Sequence, residues 1–473
     1  DYDGATRRFE QLVKTYPNSK LGRDARWHLA WMRYLRGDYE GALDRFKDLA
    51  KAPPRKMRKK IGRRWKTVMV AGDSLSNDRL NYWSAMSLMK LGRTQAAIPV
   101  FQNLVRDPAI GYYSVLAFYR LLSVPGAKLP PGIETRLGLK KAEGPNATAA
   151  AAPSEEELQA AAAVAENIES TDDGAEVAGA EEGAEPSDEE ASPEEAVQVA
   201  VEGVLSDFSD VGLAVKFERA RDLALVGLLA PARRELGEIE KRARKTEDRK
   251  LLMAEYAQVE QFYRSSTIGE LGFGPQRMRG GLRGESRVFW EFAYPRAWEP
   301  SVLQSARSTT VPEELIWGIM RAESHYRSDA QSGVGALGLM QLMPYTGRQV
   351  ASLLSINTFQ TNSLLEPEVN IKLGTRYLQR LLEKFSGSIP LVAAGYNAGP
   401  HRVHAWVRNF GSLDMDEFIE HIPFLETRNY VKKVVRNYQV YSLLYSGGSH
   451  SLRWLVQPVG IELDEKVPTK EVW

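Results

Sequence analysis

Apolar positions in the first part of the chain recur at helical spacing around glycines. Ala30 and Ala85 lie seven residues before Gly37 and Gly92, Ala42 and Ala97 five after, and Phe46 and Phe101 nine after. A third copy surrounds Gly227, with Ala220, Ala232 and Leu236 at the same offsets. Small residues let paired helices approach, a glycine ends the first helix of each pair, and the large apolar residue fills the groove between neighbours. The pattern predicts a mainly α protein built on a tetratricopeptide-like α-superhelix. The 55 residues from Gly37 to Gly92 exceed the about 34 of a regular repeat. Irregular pairs, or extra helices between them, are therefore expected.

A second pattern, Val311-Pro-Glu-Glu-Leu-Ile-Trp-Gly-Ile-Met320, reads as another helix. Pro312 suits a first-turn position, and Glu313 and Glu314 lie near the positive end of the dipole. Leu315 and Ile319 share a face at i, i+4, and four more residues along that face stands Glu323. A glycine-rich stretch follows, running to Gly338-Leu-Met-Gln-Leu-Met-Pro344. A carboxyl on the inward side of a helix must be paired, hydrogen-bonded or protonated. A carboxyl protonated at neutral pH is what general acid catalysis requires.

These blocks resemble the catalytic signature of the soluble lytic transglycosylases. The similarity runs in order through Tyr294-Pro295 with Ala297, Glu323-Ser324, Ser332 with Gly335-Ala336, and Gly338–Pro344. It continues through Asn370-Ile-Lys-Leu-Gly-Thr-Arg-Tyr-Leu378, Ala394-Gly-Tyr-Asn-Ala-Gly-Pro400 and Ile422-Pro-Phe-Leu-Glu-Thr-Arg-Asn-Tyr-Val431. Trp83-Ser-Ala-Met86 and Gly111–Leu121 resemble the superhelical domain of the same family.

The resemblance implies a superhelix followed by a goose-type lysozyme-like catalytic domain that cleaves the glycan strands of peptidoglycan. It implies that Glu323 protonates the oxygen between N-acetylmuramic acid and N-acetylglucosamine, then as a carboxylate takes the proton of the C6 hydroxyl that closes a 1,6-anhydro ring. It places Ser332 near the N-acetyl group or the acid, and Gln341 and Met343 along the cleft. Tyr396 and Asn397 would meet sugar, Glu426 would order the site or touch substrate, and Tyr430 would contact glycan. A turn role is the plainer reading of Ser324, with Leu339 and Met340 in the core and Arg428 a buried ion-pair partner. His401 and His404, at i, i+3, lack an evident third ligand and read as surface or capping residues. Neither a metal nor a cofactor is called for.

Composition changes this picture in one respect. The 473 residues carry a formal charge of +1. Yet 20 of the 61 acids lie between 142 and 215, where there is no Lys or Arg, so the remainder holds 62 bases against 41 acids. An acidic insert thus hides a basic protein suited to a polyanionic partner. Ala, Glu, Pro, Ser and Gly dominate the insert, which cannot bury enough apolar surface to fold. Disorder is expected there, apart from a short helix near Glu155–Glu166. It reads as a solvated spacer before it reads as an acidic regulator or a tether.

The run Lys51–Lys66 holds nine bases and no acid. It reads as a solvated helix–helix connection, ahead of contact with a wall polymer or membrane. Nucleic acid ranks last because Trp65 is the lone aromatic available for stacking.

The expected organisation is a superhelix over 1–140, the insert over 141–215, further superhelix and linker over 216–289, the catalytic domain over 290–452 and a tail over 453–473. The absence of cysteine fits an exported protein. The chain opens at Asp1 inside a helical pattern, so a native start and its signal are expected to precede it. The expected location is the periplasm, with outer-membrane association as an option. Peptidoglycan strands are the expected partner, with wall-synthesis or remodelling proteins recruited by the arm. The alternatives are a muramidase that uses water on the same bond and a non-catalytic peptidoglycan-binding scaffold.

Overall fold

The computed structural model describes residues 2–17, 19–51, 55–61, 64–70, 74–137, 211–448 and 452–461. Most of the acidic insert lies outside them, including the short helix expected at 155–166.

The chain begins with α1 (Tyr2–Thr15), α2 (Lys20–Leu35) and α3 (Tyr39–Ala50). An antiparallel hairpin follows, β1 (Arg55–Ile61) and β2 (Arg64–Val70), with Arg55 opposite Val70 and Ile61 opposite Arg64. Then come α4 (Ser74–Lys90), α5 (Thr94–Val105), α6 (Tyr112–Ser123) and α7 (Ile133–Leu137). After the insert the arm resumes with α8 (Val211–Leu225), α9 (Leu229–Glu240), α10 (Thr246–Gln258) and α11 (Phe262–Thr267), which runs into a π-helical turn, Ile268–Gly272.

The three glycine-centred repeats are the helix pairs α2–α3, α4–α5 and α8–α9. Gly37, Gly92 and Gly227 all take left-handed backbone, with φ of 79°, 74° and 78°. That geometry ends the first helix of each pair at little cost only for a residue without Cβ. The repeating alanines and Phe46, Phe101 and Leu236 are completely buried between the paired helices. Among the described residues, the excess length between Gly37 and Gly92 is taken up by the hairpin.

The C-terminal part contains α12 (Gly274–Gly280), α13 (Glu285–Ala293), α14 (Glu299–Arg307), α15 (Glu313–Glu323) and α16 (Pro344–Leu353). It continues with α17 (Pro367–Lys384), α18 (Ile389–Ala398), α19 (Pro400–Phe410), α20 (Met415–His421) and α21 (Leu425–Tyr445). Helix α15 lies against α21, closely enough at Gly318 that an added Cβ would stand 3.5 Å from the Tyr438 amide. Asn437 Nδ2 donates to the Gly318 carbonyl there at 3.0 Å.

Acidic α20 is docked into the arm. Buried Glu420 accepts from Arg79 and Tyr113 of the arm, each at 2.6 Å, and from Lys432 of α21 at 2.8 Å. Asp416 accepts from Tyr82 and Arg120 at 2.5 and 2.7 Å, and Glu417 from Tyr34 at 2.8 Å. Buried charges persist when paired and hydrogen-bonded in this way. Apolar packing is continuous from the helix pairs of residues 27–121 to α21, so this arm segment and the C-terminal helices share one core.

Candidate active site

Glu323 is the last residue of α15. The carbonyl end of a helix carries partial negative charge, which disfavours a carboxylate. Burial pushes the Glu323 carboxyl from 4.5 up to about 7; Tyr430 and Lys433 oppose the shift, and the negative charge of Glu426 adds to it. Lys433 Nζ donates to the Ala322 carbonyl at 3.0 Å, one residue from the acid. The Tyr430 hydroxyl is buried and stands close enough to Glu323 to interact with it, but falls short of full hydrogen-bond geometry. Burial and the neighbouring Glu323 charge raise the Tyr430 phenol far above its ordinary range, so it remains a neutral donor.

The loop after α15 is fixed by short-range polar contacts. Ser324 Oγ donates to the Leu339 carbonyl at 2.7 Å, tying the helix end to the glycine-rich turn. Ser332 Oγ accepts from the Ala336 amide at 2.8 Å, which is a turn role, while its hydroxyl hydrogen remains available. Gln341 has left-handed backbone, φ 48°, and its Nε2 donates to the carbonyls of Gly338 and Ala330 at 2.9 and 3.1 Å. Its amide nitrogen is thus spent on the loop. Met343, at the start of α16, is 42% exposed, while Leu339 and Met340 are fully buried.

Tyr396 and Asn397 come from the end of α18. Tyr396 donates its phenol to the Met340 carbonyl at 2.7 Å; burial, with Glu323 and Tyr377 nearby, raises it far above its ordinary range. Asn397 Oδ1 accepts from the Thr427 hydroxyl at 2.6 Å, which joins α18 to α21. Glu426 is exposed on the first turn of α21.

Glu323, Tyr396, Tyr430 and Glu426 therefore form one electrostatic group. Ser332 and Gln341 hydrogen-bond within their own loop and not to the acid. Arg428 is buried, but its Nη1 donates to the backbone carbonyl of Glu420 at 2.9 Å. His404 is buried in α19 and not at the surface.

Sequence reasoning missed Lys433 and Asn370 as supports of the site. Fully buried Asn370 accepts from the Met340 amide at 2.7 Å and donates to the carbonyls of Leu337 and Leu364 at 3.0 and 2.7 Å. It crosses the glycine-rich loop where Gly338, φ 76°, has no room for a Cβ, which would stand 2.1 Å from the Leu364 carbonyl oxygen. A polar residue on the apolar face of α17 was the available signal.

Residues 301–419 match the Transglycosylase SLT domain family. This part of the chain is similar to the lytic transglycosylases. The chain is 34% identical over 236 residues to the soluble lytic murein transglycosylase of Escherichia coli K12, covering 50% of this chain and 34% of that protein. The chain thus spans about a third of that curated relative's length. Two solved structures have a similar fold. The lytic transglycosylase Slt of Pseudomonas aeruginosa, in an inactive mutant, aligns with a TM-score of 0.56 at 21% identity over 97% of this chain and 57% of its own. The 70 kDa soluble lytic transglycosylase of Escherichia coli aligns with a TM-score of 0.56 at 20% identity over 97% of this chain and 63% of its own. Glu323, Ser332, Gln341, Met343, Tyr396 and Asn397 fall within the family match, whereas Glu426 and Tyr430 lie beyond its end.

Proposed function

We propose that the protein is a peptidoglycan lytic transglycosylase and that Glu323 serves it first as acid and then as base. The observation that carries this reading is a helix-terminal carboxyl held at about 7 by burial, facing two neutral phenols. Such a group is protonated in a large fraction of molecules at neutral pH and can also serve as the conjugate base.

The protonated carboxyl donates to the glycosidic oxygen as its bond to C1 of N-acetylmuramic acid breaks. The substrate's N-acetyl group supports the cationic centre. The Glu323 carboxylate then takes the proton of the C6 hydroxyl as O6 bonds to C1, which regenerates the acid and closes the anhydro ring. Tyr430 steadies the carboxylate form, and Tyr396 and Asn397 bear on the sugar beside it. The Gln341 carbonyl oxygen and the exposed Met343 extend the binding surface along the glycine-rich loop.

Two-carboxylate hydrolysis needs a second acid to activate water or attack the sugar. Glu426 is the nearest candidate, and its solvent-exposed position favours a role in ordering the site or touching substrate. The relatives' names refer to murein, which supports peptidoglycan as substrate and the periplasm as the place of action. The arm orients long strands or recruits wall-synthesis proteins.

Mass spectrometry of fragments released from purified peptidoglycan tests the reaction. Anhydromuramic ends are expected. Reducing ends would assign a muramidase, and the absence of fragments a binding scaffold.

A further inference from the structure

Behind α15 lies the π-helical turn Ile268–Gly272, before the stretch that matches the family. Single π turns are rare and often occur at functional sites. Glu270 of this turn holds Arg321, with Oε2 2.8 Å from Nη2. The same oxygen is 3.9 Å from His325 Nε2. Arg321 and His325 lie two residues before and two after Glu323. Two residues turn a helix by about 200°, so Arg321 and Glu323 project from opposite sides of the end of α15.

The back of the helix is thus clamped while its front carries the acid. Arg321 is buried, donates through Nη1 to the Ala293 carbonyl at 2.5 Å, and has its guanidinium 4.0 Å from the centre of the Tyr294 ring. Burial opposes ionisation of Glu270, but Arg321 and the surrounding cations outweigh it and hold the carboxyl below its ordinary value. Burial and Arg321 lower His325 to about 4, so the ion pair at neutral pH is the one with Arg321.

The clamp sits where the backbone needs restraint. Directly after the helix cap, His325 and Tyr326 take left-handed backbone, with φ of 51° and 64°. Consecutive non-glycine residues in this region are strained and persist only where surrounding contacts fix them. The Tyr326 hydroxyl is bonded to that of Tyr441 on α21, and the Glu270 contact stands on the opposite flank at His325.

We propose that Glu270 is a positioning residue that sets the Glu323 carboxyl through Arg321 and His325, making the π turn part of the active site. This rests on Glu323 being the reacting acid. Glu270 itself touches neither Glu323 nor substrate. Its loss lets the α15 terminus shift, and misplacement by about 1 Å costs on the order of a hundredfold in rate.

The test uses the full chain with Glu270→Gln, and with the pair Glu270→Leu and Arg321→Met, which leaves no uncompensated buried charge. Two experiments are made: steady-state kinetics giving kcat and KM on soluble glycan strands, and amide hydrogen exchange across residues 322–327. Both variants are expected to keep a cooperative thermal transition. A roughly ten- to hundredfold loss of kcat, with KM within about twofold and faster exchange confined to that segment, is expected in each. Unchanged kcat in the paired variant overturns the proposal, as does a rise in KM alone. If the unaltered protein releases no fragments, the reading of Glu323 fails, while exchange still decides the clamp: unchanged exchange in both variants overturns it.

Discussion

Lys433 on α21 donates to the carbonyl of Ala322, placing an ammonium one residue from the acid. This contact satisfies a carbonyl at the open end of α15 and sets a positive charge against the partial negative charge of the helix terminus. Burial raises the Glu323 carboxyl, and Lys433 limits how far it rises.

The pH dependence follows from that balance. The first step needs protonated Glu323, so kcat/KM is expected to decline about tenfold per pH unit above about 7. Lys433→Met removes a stabiliser of the carboxylate and raises the folded pKa. The alkaline limb should move upward by about half a unit or more. Initial rates on soluble strands between pH 5 and 9 check this, and a limb moving downward would contradict it.

The same group affects stability. Its folded value of about 7 lies above the ordinary 4.5, so the folded state holds the proton more tightly. The resulting stabilisation is complete below about 4.5 and is lost as pH rises through about 7. Glu323→Gln cannot ionise, so its melting temperature relative to the unaltered protein should increase from pH 5 to pH 8. Differential scanning calorimetry at the two values measures that change.

Asn370 closes three hydrogen bonds across the loop that carries Gln341. Asn370→Ala leaves the Met340 amide and two carbonyls without their partner, and a buried polar group left unsatisfied costs about 1–3 kcal/mol. A loss of about 2–5 kcal/mol is expected from urea denaturation, together with weaker substrate binding as the loop loosens.

Glu420 holds α20 against the arm through Arg79 and Tyr113 and against α21 through Lys432. Despite burial, Arg79, Lys432 and Arg428 keep its carboxyl ionised and well below the usual range. Glu420→Gln leaves buried cations uncompensated and is expected to cost about 3–5 kcal/mol. Urea denaturation should register it, and a change of less than about 1 kcal/mol would mean that apolar packing alone holds the interface.

The fold was legible where local rules coincide with tertiary ones. The glycines at 37, 92 and 227 mark left-handed helix ends, and the alanines at fixed offsets face one another in the core. The hairpin at 55–70 was hidden because Lys51–Lys66 lacks the alternating apolar pattern that marks a half-buried strand. Glu323 could be placed from helical periodicity, and Tyr396, Asn397 and Tyr430 from family blocks. Lys433 and Glu270 could not, because each acts on a residue distant in sequence, Ala322 and Arg321, and Asn370 showed only as a polar residue on an apolar helix face, its partner Met340 lying 30 residues away. Ser324 follows the acid but read as a turn residue, and its hydroxyl is committed to the Leu339 carbonyl.

The most direct test compares the unaltered protein with Glu323→Gln on the same purified peptidoglycan, measuring soluble products by mass spectrometry and bound protein by sedimentation. The amide keeps the shape of the side chain but has no proton to transfer. Anhydromuramic fragments from the unaltered protein alone, with equal sedimentation of both, are expected. Comparable fragment release by Glu323→Gln would contradict the assignment of the acid.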